Sequence, residues 1–237
     1  VPANYLLLAE HPAFGRTDLT TLRHALVGGA PMPEPLLRTW HARDVALVQG
    51  YGLTEASPNV LCLPDEDART RVGSAGRPYP HVEVRLVDPV TDETIDGAGS
   101  GELLVRGPSV FAGYFRDVDR TAEVLRGGWL RTGDLMQRDA DGYYRVVDRL
   151  SDIFITGGES VAPAEIESVL FEHPAVADAA VAGVPDARWG EVPEAWVVAR
   201  TGVAVDEKAL VEHCAARLAR FKVPQRVSFV DRIPRSG

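Results

Sequence analysis

Val45-Ala46-Leu47-Val48-Gln49-Gly50-Tyr51-Gly52-Leu53-Thr54-Glu55 carries an apolar run directly into a glycine-flanked aromatic, a hydroxyl and a carboxylate. The length and composition of Val45 to Val48 predict a strand, which places the polar residues at its carboxyl end. In an open α/β sheet that edge is where ligands bind. Two glycines admit a flat ring close to the backbone, and Tyr51 can face that ring. Thr54 can donate to a phosphate oxygen, and Glu55 offers hard oxygen to Mg²⁺. Taken alone, the segment has a second reading as the turn chemistry of a strand-to-loop joint. Its neighbours in the chain decide between the two.

Upstream, the apolar run Leu22 to Val27 ends in Gly28-Gly29-Ala30-Pro31, and Pro33 to Arg43 shows helical spacing through Leu36, Leu37 and Trp40. Strand, tight turn, helix and second strand follow in order, so both glycine-bearing segments are expected as loops at carboxyl ends of strands. From about Val82 the texture changes to short strands around Val84 and Leu86 and over Leu103 to Val105, joined by Asp96-Gly97 and Gly99-Ser100-Gly101 turns. Asp117 to Leu125 is expected as a helix stopped by Gly127-Gly128. Asp139 to Gly142 should turn a hairpin returning over Tyr143 to Val147.

Beyond Asp148 the pattern becomes α+β. Ile153 to Thr156 is a strand and Gly157-Gly158 a turn. Pro163 opens a helix with Glu165 in its first turn and Ile166, Val169 and Leu170 on one face, and His173-Pro174 ends it. Val176 to Val184 and Ala195 to Ala199 are expected as strands around a polar loop. Asp206 then caps a helix bearing Leu210, Val211, Cys214 and Leu218. Polar residues near Leu150 to Asp152 separate the two textures, which predicts one domain over residues 1–150 and a second over 151–237. Val1 to Leu8 already read as the inside of a helix, and both ends of the chain are expected to be cut from a longer protein.

Composition narrows the function classes. With 45% hydrophobic and 25% charged residues in 237, the chain is expected to be globular with a substantial core. A net charge of -9 argues against a nucleic-acid groove or an anionic membrane surface, both of which need clustered positive charge. No stretch approaches the ~20 apolar residues of a membrane helix. The two cysteines, Cys62 and Cys214, stand far apart without ligand-spaced partners, so neither a zinc site nor a disulfide framework is indicated and a reducing cytoplasm is the default.

Four elements line up in sequence: Gly28-Gly29-Ala30-Pro31; Gln49 to Glu55; Gly128-Trp129-Leu130-Arg131-Thr132-Gly133-Asp134-Leu135; and Asp148-Arg149 followed by Gly157-Gly158-Glu159 and Pro163-Ala164-Glu165-Ile166-Glu167. Each alone reads equally as a turn or a solvated charge. In this order and spacing they resemble the adenylate-forming superfamily of acyl-CoA synthetases, luciferases and peptide-synthetase adenylation domains. The resemblance runs over essentially the whole chain. It implies an α/β fold in which the carboxyl-terminal part of the large AMP-binding domain, a parallel-sheet edge plus a small β-rich subdomain, precedes a compact, mobile α+β domain.

The resemblance also implies roles. Gly29, Ala30 and Pro31 would wall the adenine of ATP or AMP, with Gln49, Gly50 and Tyr51 closing its other side. Asp134 and Arg149 would hold the ribose, Thr54 the phosphate and Glu55 the Mg²⁺. Ser151 occupies the hinge position, where relatives commonly carry Asp or Lys, and Gly157 and Gly158 would flank the arm of coenzyme A. The implied reaction activates a carboxylic acid as an acyl-adenylate and passes the acyl group to CoA. The segment from Asp148 to Glu159 looks like that of CoA ligases rather than the Arg-Gly-x-Arg-Ile-Glu type of peptide synthetases. An adenylation domain loading a carrier protein is the alternative, and a non-catalytic nucleotide- or partner-binding module is a third. Two family elements are absent: the phosphate loop ending in Pro-Lys-Gly, and the adenylation lysine expected shortly after Pro234-Arg235-Ser236. The only lysines are Lys208 and Lys222. The 237 residues are therefore expected to describe a ligase without acting as one.

Overall fold

In a computed structural model that describes residues 1–234, the strands that lead into the two glycine-bearing segments share one sheet. The first helix, α1 (Pro2–Glu10), lies over α2 (Glu34–His41), where Trp40 stacks edge-on to Tyr5 and Phe14 and its indole N–H donates to the Tyr5 carbonyl at 3.2 Å. Leu36, Leu37 and Trp40 recur at helical spacing and are the face that α2 buries. Strand β1 (Ala25–Val27) pairs in parallel with β2 (Leu47–Tyr51), which pairs antiparallel with β3 (Leu61–Cys62), and β3 with β4 (Arg77–Pro78). The sheet order is β1-β2-β3-β4.

The β-rich part forms a second, antiparallel sheet. Strand β5 (Glu83–Val87) pairs with β6 (Thr94–Ile95) and β7 (Gly99–Arg106), and a short helix α3 (Val118–Val124), capped by the Asp117 carboxylate, leads into β8 (Leu125–Arg126). Strands β9 (Trp129–Arg138) and β10 (Tyr144–Arg149) complete the order β10-β9-β7-β5-β6, with β8 on β9. Leu86, Leu103, Val105, Leu130 and Met136 alternate onto one face and form its core with Val60, Leu61 and Tyr144. Gly127-Gly128 does not stop the helix. Arg126 pairs with Trp129, so the two glycines make a two-residue hairpin turn after the helix has already given way to β8.

The chain divides into two compact units, Val1–Val146 and Val147–Gly237. In the second, β11 (Phe154–Thr156) and β12 (Glu159–Val161) form a hairpin, followed by α4 (Pro163–Phe171). Strands β13 (Val176–Asp186) and β14 (Gly190–Ala199) are paired along nearly their whole length, so most of the expected polar loop is strand and only its tip turns. Helix α5 (Glu207–Ala215), capped by the Asp206 side chain, precedes β15 (Arg226–Phe229), which joins β14 in parallel. Ile166 and Leu170 of α4 and Leu210 and Cys214 of α5 are fully buried against Ala179, Ala195 and Val197. The alanines and valines on the sheet leave room for the larger helical side chains, which is the interdigitation a dense core requires.

Candidate nucleotide site

Strand β2 runs on through Tyr51, because Gly50 and Tyr51 pair with Cys62 and Leu61. Gln49, Gly50 and Tyr51 are thus strand residues, and the loop begins at Gly52. Val27 is in parallel register with Gln49, which sets the Gly28-Gly29-Ala30-Pro31 turn beside them. The approach is close: a Cβ on Gly28 would lie 3.1 Å from the Gly50 carbonyl oxygen. Gly29, Ala30 and Pro31 are exposed along this edge. The Gln49 side-chain amide is turned away, donating to the Ser74 carbonyl at 3.2 Å. The absence of a side chain at Gly52 serves the chain itself, since a Cβ there would fall 1.1 Å from the Pro58 carbonyl oxygen.

Asp134 meets this edge from 83 residues away. The Tyr51 hydroxyl donates to its Oδ2 at 2.5 Å, and the carboxylate is 4% exposed. A break in the pairing of β9 with β7 shapes the approach. Leu104 is opposite Arg131 and Glu102 opposite Leu135, so Leu103 alone faces Thr132, Gly133 and Asp134. Two extra residues preserve the alternation, and Asp134 stays on the face of Leu130 and Met136. Gly133 takes a left-handed φ of 71°, which glycine adopts without Cβ strain. Thr132 Oγ1 donates to the Leu103 carbonyl at 2.7 Å and accepts the Asp134 N–H at 3.1 Å. Glu102 Oε1 accepts the Gly133 N–H at 3.2 Å.

Thr54 and Glu55 lie on a single helical turn, Thr54–Ala56, with Thr54 exposed and Glu55 half-buried. The Tyr114 hydroxyl donates to Glu55 Oε1 at 2.8 Å, and the Glu55 carbonyl accepts the Phe111 N–H at 2.8 Å. Tyr114 packs edge-on to Phe111 and under the Arg120 guanidinium. Burial first, and then the adjacent Glu55 carboxylate, push the Tyr114 hydroxyl above its ordinary pKa, so it stays a donor. Among the described residues no three His, Cys, Asp or Glu side chains gather as metal ligands. One held carboxylate with a second oxygen still to offer fits Mg²⁺, which keeps several waters and takes one or two carboxylates plus phosphate oxygens.

Arg149, Ser151, Gly157 and Gly158 lie in the second unit. Arg149 is exposed at the end of β10, and its N–H donates to its neighbour Asp148 at 2.8 Å. Asp148 Oδ2 also accepts the Ala164 N–H at 2.9 Å, capping α4 from a distant point in sequence. Burial pushes the Asp148 carboxyl up, against these two donors that favour its charged form. Ser151 is exposed, donates to Asp152 at 2.8 Å, and borders a cavity of about 550 Å³ with Asp148, Glu167 and Glu191. Gly157 and Gly158, with φ of 57° and 93°, form the two-residue turn of the β11–β12 hairpin, and a Cβ on Gly157 would stand 2.9 Å from the Trp189 ring. Lys222 Nζ is held by Glu165 at 2.6 Å, and Lys208 is exposed beside Glu212. Arg235 and Ser236, expected ahead of the family lysine, lie outside the described residues.

Sequence reasoning missed Glu102, Thr132 and Tyr114. For Glu102 a signal existed, a carboxylate directly ahead of the apolar run Leu103 to Val105. For Tyr114, whose partner is 59 residues away, there was none.

The profile of the AMP-binding enzyme family matches residues 1–115, and that of the AMP-binding enzyme C-terminal domain matches residues 165–237. The chain belongs to the AMP-binding enzymes. Over all of its 237 residues it is 46% identical to a feruloyl-CoA synthase of Amycolatopsis sp, covering 48% of that protein. Among solved structures, the amide bond synthetase McbA from Marinactinospora thermotolerans superposes with a TM-score of 0.90 at 42% identity, over 98% of this chain and 47% of that one. The o-succinylbenzoate coenzyme A synthetase MenE of Bacillus subtilis, solved with ATP and a magnesium ion, gives 0.85 at 37% identity, over 97% of this chain and 46% of that one. The chain thus spans about half the length of the relatives it matches. No helix among the described residues is long and apolar enough to cross a membrane.

Proposed function

We propose that the chain is part of an AMP-forming acid–CoA ligase and supplies one side of its nucleotide site together with its mobile domain. The observation that carries the reading is the Tyr51 hydroxyl on the buried Asp134 carboxylate, which joins two motifs 83 residues apart at the glycine-bearing edge. Gly29, Ala30 and Pro31 line one side of the adenine, and Gln49, Gly50 and Tyr51 the other. Asp134 accepts from the ribose hydroxyls, a role that suits a carboxylate facing paired donors, and Arg149 donates to the same sugar. Thr54 donates to phosphate, and Glu55, oriented by Tyr114, holds Mg²⁺, which when bound neutralises phosphate charge.

In the first half-reaction the substrate carboxylate attacks the α-phosphorus of ATP, and pyrophosphate leaves with the electron pair. Such a step depends mostly on positioning and charge. In the second a thiol displaces AMP, and a domain comprising residues 151–237 swings about Ser151 to present Gly157 and Gly158 to the pantetheine arm. Lys222 is held by Glu165 and Lys208 stands exposed beside Glu212, and this reading gives neither the adenylation role. Feruloyl-CoA synthase and o-succinylbenzoate coenzyme A synthetase are named for aromatic acids, which favours an aromatic carboxylic acid as substrate. The compartment proposed is the reducing cytoplasm, where CoA is at hand and Cys62 and Cys214 remain thiols.

The test is carboxylate-dependent ATP–pyrophosphate exchange, followed by CoA consumption, in a protein that carries this chain with its upstream and downstream neighbours. Exchange with aromatic acids is expected there and none from the 237 residues alone. Asp134→Ala should weaken use of ATP by about 1.5–3 kcal/mol, the scale of charge-linked hydrogen bonds. Unchanged ATP kinetics in that variant would remove Asp134 from the site. Since McbA is named for amide synthesis, an amine offered in place of CoA decides the acceptor.

A further inference from the structure

We propose that Glu102 is a positioning residue for the nucleotide: it holds the β9 bulge that presents Asp134, an assignment that rests on the ribose role given to Asp134 above. Glu102 is a carboxylate at 4% exposure directly before the buried Leu103, Leu104 and Val105, a placement that costs several kcal/mol unless the charge is paired and its lone pairs filled. Its bonds meet that requirement. Oε2 accepts the Arg131 Nε at 3.0 Å and its Nη2 at 2.5 Å, while Arg131 Nη1 reaches Asp92 at 2.6 Å. Oε1 is left for the Gly133 N–H at 3.2 Å.

That last bond gives the buried charge a purpose. Where Leu103 alone faces three residues, the ladder is interrupted, and a buried N–H without a partner is costly. The Glu102 side chain replaces the missing ladder acceptor. Thr132 Oγ1 satisfies the Leu103 carbonyl and the Asp134 N–H on the other side of Gly133. With the Leu103 carbonyl and the Gly133 and Asp134 N–H groups engaged, the backbone leading into Asp134 is held in place. If the bulge relaxed toward regular pairing, the register would shift by two residues at about 3.4 Å each. Asp134 would slide along the strand, away from Tyr51. Arg131 aims the carboxylate, so Glu102 acts on the nucleotide only through the Gly133–Asp134 backbone.

Two double variants isolate the acceptor. Glu102→Gln with Arg131→Met keeps an oxygen for the Gly133 N–H, and Glu102→Leu with Arg131→Met removes it. Neither leaves a buried charge alone, so both should fold. Gly133 amide hydrogen exchange by NMR and AMP affinity by calorimetry are measured in each, with Asp134→Ala as a third arm. The Leu/Met variant should exchange the Gly133 amide at least tenfold faster and bind AMP at least tenfold more weakly. The Gln/Met variant should stay within threefold of the parent in both. Equal behaviour of the two double variants overturns the proposal. Unchanged AMP affinity in Asp134→Ala would overturn the ribose reading instead, and the exchange measurement, which needs no nucleotide, still decides the role of Glu102.

Discussion

Replacing Tyr51 by Phe keeps the ring and removes one hydroxyl, the donor to Asp134 Oδ2 at 2.5 Å. A hydrogen bond to a charged group contributes about 1.5–3 kcal/mol. Tyr51 is only half-buried and the bond is partly screened, so the lower end, about 1.5 kcal/mol, is expected. For a unit the size of Val1–Val146, at about 2–4 °C per kcal/mol, that corresponds to a fall in melting temperature of about 3–6 °C. Urea unfolding of the parent, Tyr51→Phe, Asp134→Ala and the double variant forms a cycle. If the two side chains act on each other, Tyr51→Phe should cost less than about 0.5 kcal/mol once Asp134 is gone. AMP affinity should separate them differently. Tyr51→Phe retains the face offered to adenine and should weaken binding by less than Asp134→Ala, which removes the sugar's acceptor. Equal stability losses for Tyr51→Phe in both backgrounds would refute the coupling, and with it the observation on which the nucleotide reading stands.

Tyr114→Phe removes the donor that orients Glu55, worth about 0.5–1.5 kcal/mol net, and should raise the Mg²⁺ needed for half-maximal pyrophosphate exchange roughly two- to tenfold without changing the KM for acid. Gly157→Ala forces a side chain onto a φ of 57° and toward the Trp189 ring at 2.9 Å. Thioester formation should slow more than adenylation, and equal loss in both half-reactions would argue against a place beside the pantetheine arm. His173 is held below its ordinary 6.5 by burial first, then by His213 and Arg217. The unfolded chain therefore takes up a proton before the folded one, so stability is full above about pH 6.5 and falls as pH drops below it. Unfolding at pH 7.5 and 5.5 should show that loss in the parent and a smaller one in His173→Gln. Burial pushes the Cys214 thiol up to about 11. A thiol reagent at pH 8 should label Cys62 and reach Cys214 only after unfolding, and rapid native labelling of Cys214 would contradict its place in the core.

The periodic elements were legible because their signals are local. Leu36, Leu37 and Trp40 announce α2, and Ile166, Val169 and Leu170 announce α4, each through spacing that buries one face. Boundaries fared less well where a tertiary partner extended an element. Strand β2 continues through Gly50 and Tyr51 because Cys62 and Leu61 pair with them, and the stretch around Glu191 to Glu194 is strand because β13 lies alongside. Polar composition suggested a loop there, and ladder hydrogen bonds outweighed it. Gly127-Gly128 read as a helix stop since glycine ends helices and turns hairpins alike. Only the pairing of Arg126 with Trp129 separates the two.

The site shows the same division, with a physical reason behind it. Residues that would touch a ligand sit on glycine-bearing turns and strand ends, where composition is unusual enough to notice. Residues that hold them there do so across the sheet: Glu102 reaches Gly133 from 31 positions away, and Tyr114 reaches Glu55 from 59. A bulge of two extra residues is especially well hidden, because it leaves the alternation of β9 intact. Leu130, Thr132, Asp134 and Met136 are all buried as an unbroken strand would have them. The irregularity exists only in the pairing with β7. What the sequence does display is its cost: a carboxylate at 102 directly ahead of Leu103-Leu104-Val105 and an arginine at 131 directly after Trp129-Leu130. A charge pair buried in a sheet is a weak source of stability compared with apolar residues of similar size. Its presence therefore points to geometry, and here the geometry it fixes is that of the neighbouring aspartate.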